Sequence, residues 1–366
     1  MKISIIGGGP AGLYLACALK KMTPSAELNV YEVRNESINS LGLGYTLQQL
    51  NTSLLERLDP NYYDSLFTDT PSPPITQALF KTNNDERYLK FSDGFSITRF
   101  ELMRYLRKLA DSYEVNVTEQ KIELQDLDSL RKDSDLLVGA DGLNSIVREK
   151  YAHQMQAKSH TAGTCYSWFT NESSQKRSEA CFYAFQAPEG VIMLTSYPLT
   201  DYKQVVIIEM SKKCVNSGKF KGQSPEQCQD YLSSILSQNG DLISLKSAGL
   251  PWYSFRMNTT HNLAYENATL VGDAAASFHF CTGQGVTSAF TMAYTLSQCI
   301  SKSSSMNTAL EHYTKTVNLM YQKPTARSIS NIHWFENIDE FFENTPKEHW
   351  LDLFIQKAEF KKTAVD

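Results

Sequence analysis

Cysteine is scarce in the 366-residue chain, with seven residues scattered as Cys17, Cys165, Cys181, Cys214, Cys228, Cys281 and Cys299. No two of them have the Cys-x-x-Cys spacing of a zinc or dithiol site, so no metal ligands are assigned. Dispersed thiols of this kind predict a reduced, cytoplasmic protein. No apolar stretch approaches the ~18 residues of a membrane span. The opening Met1-Lys2-Ile3-Ser4-Ile5-Ile6 is too short for the apolar region of a signal peptide. A membrane partner is therefore not expected. Basic residues never run beyond pairs such as Lys212-Lys213, and 35 Lys and Arg face 40 Asp and Glu for a net charge of −5. That composition lacks the electrostatic footprint of a nucleic-acid partner. Internal repeats, low-complexity tracts and long linkers are also missing. What is present, 42% apolar and 20% charged residues, excludes intrinsic disorder and suffices for two domains or one elaborated α/β domain.

Ile3 to Ile6 is a short β-branched run that reads as a buried strand. Gly7-Gly8-Gly9-Pro10-Ala11-Gly12 follows, and Leu13 to Lys21 has helical composition. Leu28 to Tyr31 is the next strand, ending at Glu32, so the chain begins with a βαβ unit. Between residues 96 and 110, Leu102, Leu106 and Leu109 recur near helical period, and Thr98 with Glu101 forms a capping box at the start. Asp135 to Ala140 is a strand that turns at Asp141-Gly142. Four strand-like runs then succeed one another: Cys165–Phe169, Ala180–Phe185, Val191–Tyr197 and Val205–Met210. Pro225 to Leu236 reads as a helix on that sheet, and Trp252 to Phe255 as a returning strand. Ala268 to Val271 is a further strand, Val286 to Cys299 a helix, and the remainder helical.

Three constellations carry chemistry. Gly7, Gly9 and Gly12 fit G-x-G-x-x-G between a strand and a helix, which gives a tight turn, close approach to a pyrophosphate and close helix packing. The first amides of that helix, at Ala11, Gly12 and Leu13, lie where the helix dipole places about half a positive charge. Glu32 follows Gly12 by 20 residues, where a carboxylate accepts bonds from an adenosine ribose. This motif alone does not choose between NAD and FAD. The second constellation, Gly139-Ala140-Asp141-Gly142-Leu143-Asn144-Ser145-Ile146-Val147-Arg148, joins a strand to a helix. Here Asp141 serves equally well as a helix cap or as a functional group. The third is Leu270-Val271-Gly272-Asp273-Ala274-Ala275 followed by Gly283-Gln284-Gly285. Asp273 suits the hydroxyl donors of a ribityl chain, and the glycines admit a flat ring. A helix starting near Val286 would aim its positive end at the flavin N1/C2=O edge, where negative charge collects on reduction.

These three motifs, in this order, resemble the class A flavoprotein monooxygenases of the p-hydroxybenzoate hydroxylase type, over residues 1 to about 340. The resemblance implies an α/β fold in which a Rossmann-like (GR2-type) FAD-binding domain is interleaved with a β-sheet substrate domain, ending in a helical C-terminus. The boundaries read as 1-155 and 260-330 for the FAD domain, 156-259 for the substrate domain and 331-366 for the helical end. It implies FAD as cofactor, with Gly7, Gly9 and Gly12 at the pyrophosphate, Glu32 at the ribose and Asp273 at the ribityl chain. Arg34 would lie near the adenosine and Arg99 against FAD. Asp141-Gly142 would be linked to both FAD and a transient NADH or NADPH. Gly283, Gln284, Gly285 and Val286 would flank the flavin ring. The segment His279-Phe280-Cys281-Thr282-Gly283-Gln284-Gly285 departs from the His and Pro-Pro pattern of many members. It is closer to the branch holding the tryptophan hydroxylase of violacein biosynthesis and salicylyl-CoA 5-hydroxylase, as are Leu43-Gly44-Tyr45 and Trp334-Phe335-Glu336-Asn337-Ile338.

The activity so implied is hydroxylation of a small indole- or phenol-like aromatic. NAD(P)H reduces FAD, O2 adds at flavin C4a, and the resulting hydroperoxide delivers one oxygen atom. No protein residue is assigned as catalytic. Tyr45, Trp168, Tyr183, His279 and Phe280 are the candidate substrate pocket, although core packing is the better reading of each aromatic and only His279 is balanced between the two. A second G-x-G-x-x-G is missing, which argues against a dedicated nicotinamide domain, and no Trp-x-Trp-x-Ile-Pro segment points to a halogenase. The alternative is a flavin-dependent oxidase or dehydrogenase of the same fold that inserts no oxygen.

Overall fold

The computed structural model describes residues 1–33, 43–67, 72–238 and 244–357. The chain forms two compact units. One comprises Met1–Asp69, Thr98–His160 and Arg256–Ser328, the other Thr70–Ile97, Thr161–Phe255 and Ile329–Asp366.

The first unit is built on a sheet in the order 264–265, 268–270, 136–139, 2–6, 27–32, 116–119. All of these strands run parallel to their neighbours except Ala264–Tyr265, which lies antiparallel to Ala268–Leu270. Strands buried on both faces read as continuous apolar runs, and Ile3, Ile5, Leu136, Leu137, Val138 and Leu270 are all inaccessible to solvent. Helix Pro10–Met22 has Pro at its first position and Lys20 and Lys21 in its last turn, which suits the helix dipole at both ends. Every residue from Ala11 to Leu19 is buried, the mark of a helix enclosed on all sides. Helix Gln284–Lys302 packs beside it through the stacked rings of Tyr14 and Phe290, 4.8 Å apart. Helix Arg99–Ser112 also packs on Pro10–Met22 and begins with the expected capping box. In it, Glu101 N donates to Thr98 Oγ1 at 3.1 Å and Thr98 N to Glu101 Oε2 at 3.3 Å.

The second unit is a sheet in the order 245–247, 165–172, 203–210, 190–198, 180–187, 75–81, 86–97. Its hairpin Ile75–Lys81 and Glu86–Ile97 was not legible in the sequence. The link is parallel, Ala180 standing opposite Ala78, a long-range pairing that local pattern does not encode. Helix Pro225–Gln238 covers one face and closes a core of Phe169, Tyr183, Phe185, Ile192, Leu194, Val206, Ile208, Leu232 and Leu236. On the other face Phe182 stacks on Phe80 at 5.1 Å, Phe354 meets Phe80 at 5.5 Å, and Trp334 stacks on Phe354 at 5.8 Å. The expected strand at Trp252–Phe255 reduces to a single bridge between Tyr166 and Tyr253, and the strand that follows is Arg256–Thr260.

The partition therefore differs from the sequence-based one. Residues 70–97 cluster with the sheet of the second unit, and so does the chain from Ile329 onward. Two carboxylates from that last segment hold strand ends. Asp339 Oδ1 accepts from Val191 N and Glu336 Oε1 from Gly163 N, both at 2.7 Å. Among the described residues, no helix is long and apolar enough to cross a membrane.

Phe185 is fully buried in the second core. Phe185→Ala should cost about 3–5 kcal/mol in urea unfolding. Tyr202→Ala, at a residue 50% exposed, should change stability by less than about 0.5 kcal/mol.

Candidate functional site

The three glycines of the first loop do three different things. Gly7 sits at φ +104°, and a Cβ there would overlap the Ala140 carbonyl, so the turn presses against the neighbouring strand. A Cβ on Gly12 would overlap the Gly7 carbonyl oxygen, which makes this glycine the contact between helix and loop. Beside Gly9, by contrast, the space is open to 4 Å. Gly9 is also the N-cap of helix Pro10–Met22, and neither a side-chain cap nor an acidic residue occupies that first turn. The first turn of this helix thus offers its amides no side-chain acceptor among the described residues.

Glu32 ends the second strand, and its Oε2 accepts from Gly8 N at 2.5 Å. Burial raises its pKa above the ordinary carboxylate value, opposed by the Gly8 amide and then by the Arg107 guanidinium. A cavity of about 340 Å³ adjoins it, lined by Glu32, Arg107, Asp111, Val117 and Glu119. Arg34 lies outside the described residues.

Asp141 does act as a cap: its Oδ2 accepts from Ile146 N at 2.7 Å, ahead of helix Ile146–Lys150, where Ser145 caps Arg148 N. Its other oxygen, Oδ1, is buried without a hydrogen-bond partner among the described residues. Burial raises the Asp141 pKa, and bonds from Ser145 and Ile146 oppose it. Capping therefore consumes half of the carboxylate.

Asp273 follows strand Ala268–Leu270 in the turn Gly272–Ala274. Desolvation lifts its carboxyl from 3.8 to about 6, against the pull of Arg99 first and Arg148 second. The same Arg99 opposes, and Asp273 adds to, the burial that raises the Tyr45 hydroxyl. Tyr45, Arg99 and Asp273, predicted from separate parts of the sequence, thus share one electrostatic neighbourhood. The Arg99 Nε is buried with no hydrogen-bond partner among the described residues.

Arg148 is a structural link that sequence reasoning quoted but did not interpret. Its Nη1 donates to Ala274 O at 2.9 Å and its Nη2 to Leu143 O at 2.6 Å. One guanidinium therefore ties the Asp141 turn to the Asp273 turn. No periodicity or turn rule points from Arg148 to a carbonyl so far along the chain, so no sequence signal was available.

The helix expected from Val286 begins earlier, at Gln284, with Gly283 as its N-cap at φ +63°. Gln284, Gly285 and Val286 consequently form its first turn. Like the first helix it lacks a side-chain cap and an acidic first turn, and the space beside Gly285 is open to 4 Å. His279, just upstream, is fully buried. Its backbone N donates to Ser328 Oγ at 2.8 Å, its ring stacks on Phe280 at 4.4 Å, and Nδ1 lies 3.0 Å from Cys281 Sγ.

The two remaining pocket candidates are in the second unit. Trp168 is half-buried and packs edge-on with Tyr166 at 5.1 Å and Tyr253 at 6.0 Å. Tyr183 is corrected to a packing residue. At 1% exposure its ring lies in the core beneath helix Pro225–Gln238, 4.9 Å from Phe185. Alternation along strand Ala180–Ala187 turns it to the helix-covered face.

Comparison with known proteins adds to this geometry. The family model described as "FAD binding domain" matches residues 105–327. Salicyloyl-CoA 5-hydroxylase of Streptomyces sp is 23% identical over 350 residues, covering 93% of this chain and 66% of that protein. The chain thus spans just under two thirds of that relative's length. Protodeoxyviolaceinate monooxygenase of Chromobacterium violaceum is 24% identical over 352 residues, covering 93% of this chain and 90% of that one. Among solved structures, the tetrameric form of 2-methyl-3-hydroxypyridine-5-carboxylic acid oxygenase superposes with a TM-score of 0.69 at 16% identity. It covers 98% of this chain and 95% of that one, a likeness of fold.

The Asp273 shift has a testable sign. Its folded pKa, about 6, exceeds its ordinary value of 3.8, so the folded state holds the extra proton between those values. Stability is lost as pH rises through about 6. In flavin-free protein, Asp273→Asn should therefore raise the Tm relative to wild type at pH 8. The gain, at most about 3 kcal/mol, should shrink as pH falls toward 4. A variant less stable than wild type at pH 8 contradicts the assignment.

Proposed function

This chain is a member of the FAD binding domain family, and on that premise we propose an FAD-dependent monooxygenase that hydroxylates a small aromatic compound with NAD(P)H and O2. The observation that carries the reading is the meeting of two uncapped helix N-termini, at Gly9 and Gly283, with the desolvated carboxylate of Asp273 in one unit. The names of the two relatives, a hydroxylase and a monooxygenase, support it.

The residues present fit FAD on their own chemistry. Open space at Gly9 and Gly285 gives a backbone cradle at both helix ends. Arg99 Nε and Asp141 Oδ1 are a buried donor and a buried acceptor still without hydrogen-bond partners among the described residues, and such groups are costly unless a ligand satisfies them. When bound, FAD accepts electrons from NAD(P)H and passes them to O2.

The chain's own groups hold and shape that chemistry. Gly9, Pro10, Ala11 and Gly12 present the helix terminus to the pyrophosphate, while Glu32 takes the ribose hydroxyls. Asp273 accepts from the ribityl hydroxyls, and a carboxylate raised by burial gains most when such donors arrive. Gly283, Gln284, Gly285 and Val286 place a helix N-terminus where the reduced ring gathers negative charge, a stabilisation worth on the order of 1 kcal/mol or more when water is excluded. Tyr45, His279 and Phe280 are the proposed substrate contacts near that loop. His279 is the proposed hydrogen-bond partner of a phenol hydroxyl or an indole N–H. Its ring orientation is held by Phe280 and by Cys281.

The test is to purify the protein with FAD and follow NAD(P)H oxidation with phenol and indole candidates under isotopically labelled O2. A product that gains one labelled oxygen atom is expected. Substrate-dependent turnover without label would mean an oxidase or dehydrogenase instead. Protein that takes up no FAD refutes both. Asp273→Ala should release FAD on gel filtration under conditions where wild type retains it.

A further inference from the structure

The cavity beside Glu32 contains a cation for which none of the sequence motifs accounts. Arg99, Met103, Arg107 and Asp111 recur every fourth residue along helix Arg99–Ser112 and so share one face. Arg107 and Asp111 line the cavity together with Glu32, Val117 and Glu119. The lining thus holds three carboxylates and a single guanidinium. Arg107 Nη2 is buried and no hydrogen-bond partner reaches it among the described residues. The Glu32 carboxylate already accepts Gly8 N at 2.5 Å.

We propose that Arg107 is the specificity residue for the adenosine half of the cofactor, donating from Nη2 to an acceptor on the ribose or adenine while Glu32 accepts the ribose hydroxyls. This rests on the reading of the site as an FAD site. The chemistry of the two groups is complementary to one nucleoside: a ribose hydroxyl can donate to Glu32 and accept from Arg107 at once, and adenine ring nitrogens are acceptors. FMN ends at its phosphate and carries neither feature, so Arg107 is a device for choosing FAD over FMN. The cation also opposes, after the Gly8 amide, the burial that raises the Glu32 pKa.

The experiment titrates flavin-free protein with FAD, ADP and FMN separately, by fluorescence quenching for the flavins and calorimetry for ADP. It compares wild type with Arg107→Gln, Arg107→Lys and the neighbouring exposed Lys108→Gln. Arg107→Gln should weaken FAD and ADP by about tenfold or more, the usual worth of a charged hydrogen bond, and FMN by less than about twofold. Arg107→Lys, which keeps the charge and loses the planar fork, should fall between, and Lys108→Gln should match wild type. Equal weakening of all three ligands would show a structural role, and unchanged FAD and ADP binding would show no role; either overturns the proposal. Wild-type protein that binds ADP but neither flavin would instead overturn the FAD reading on which it stands.

Discussion

The constraint on which the site depends is the contact between Gly12 and the Gly7 carbonyl, where no side-chain atom fits. It draws the start of helix Pro10–Met22 against the end of the first strand, so that the helix N-terminus lies at the sheet's carboxyl edge. Ala11 then lies where it would meet a Cβ on Gly272, which brings the Asp273 turn to the same edge. Tyr14 stacks on Phe290 one turn further along, and this aligns helix Gln284–Lys302 with the first. Two helix N-termini and a carboxylate converge because one pair of glycines permits the approach. In open α/β sheets, ligands bind at that carboxyl edge for the same reason.

Converging charges are expensive to bury, and the unit shows how the cost is distributed. Asp273, Glu32 and Asp141 all have raised pKa values, with desolvation as the largest cause in each case. Arg99, Arg107 and Arg148 offset it without forming close ion pairs with them. Arg148 instead spends its donors on the carbonyls of Leu143 and Ala274. An arrangement of this kind is poised for hydroxyl donors, since a ligand can supply what the protein withholds. The helix termini follow the same pattern, because neither Gly9 nor Gly283 provides a side-chain cap.

Much of the first unit could be read from local pattern. The βαβ start, the capping box of Thr98 and Glu101, and the strand before Asp273 each depend on residues within a few positions of one another. Most boundaries moved by one to three residues, as with the helix that begins at Gln284 rather than Val286, because an αL glycine can cap a helix that its composition does not announce. The second unit was less legible. Its four central strands alternate visibly, but the hairpin 75–97 joins them by a parallel register with Ala180–Tyr183, and Tyr183 was offered to a pocket when its face of the strand is roofed by helix Pro225–Gln238.

The sequence by itself determined the elements, the dinucleotide fingerprint and the identity of the acidic groups, since glycine spacing, capping chemistry and apolar runs act over short stretches of chain. Only the tertiary structure decided which charges meet. Arg99 faces Asp273, Arg107 faces Glu32, and Arg148 bridges two turns more than a hundred residues apart in sequence. Those encounters are set by helix packing and strand order, and a burial-driven pKa shift exists only once surrounding atoms have displaced water. The scarcity of cysteine and of basic runs limited what the chain could be. The desolvated carboxylates, and the buried donors beside them that have no partner among the described residues, are products of the fold.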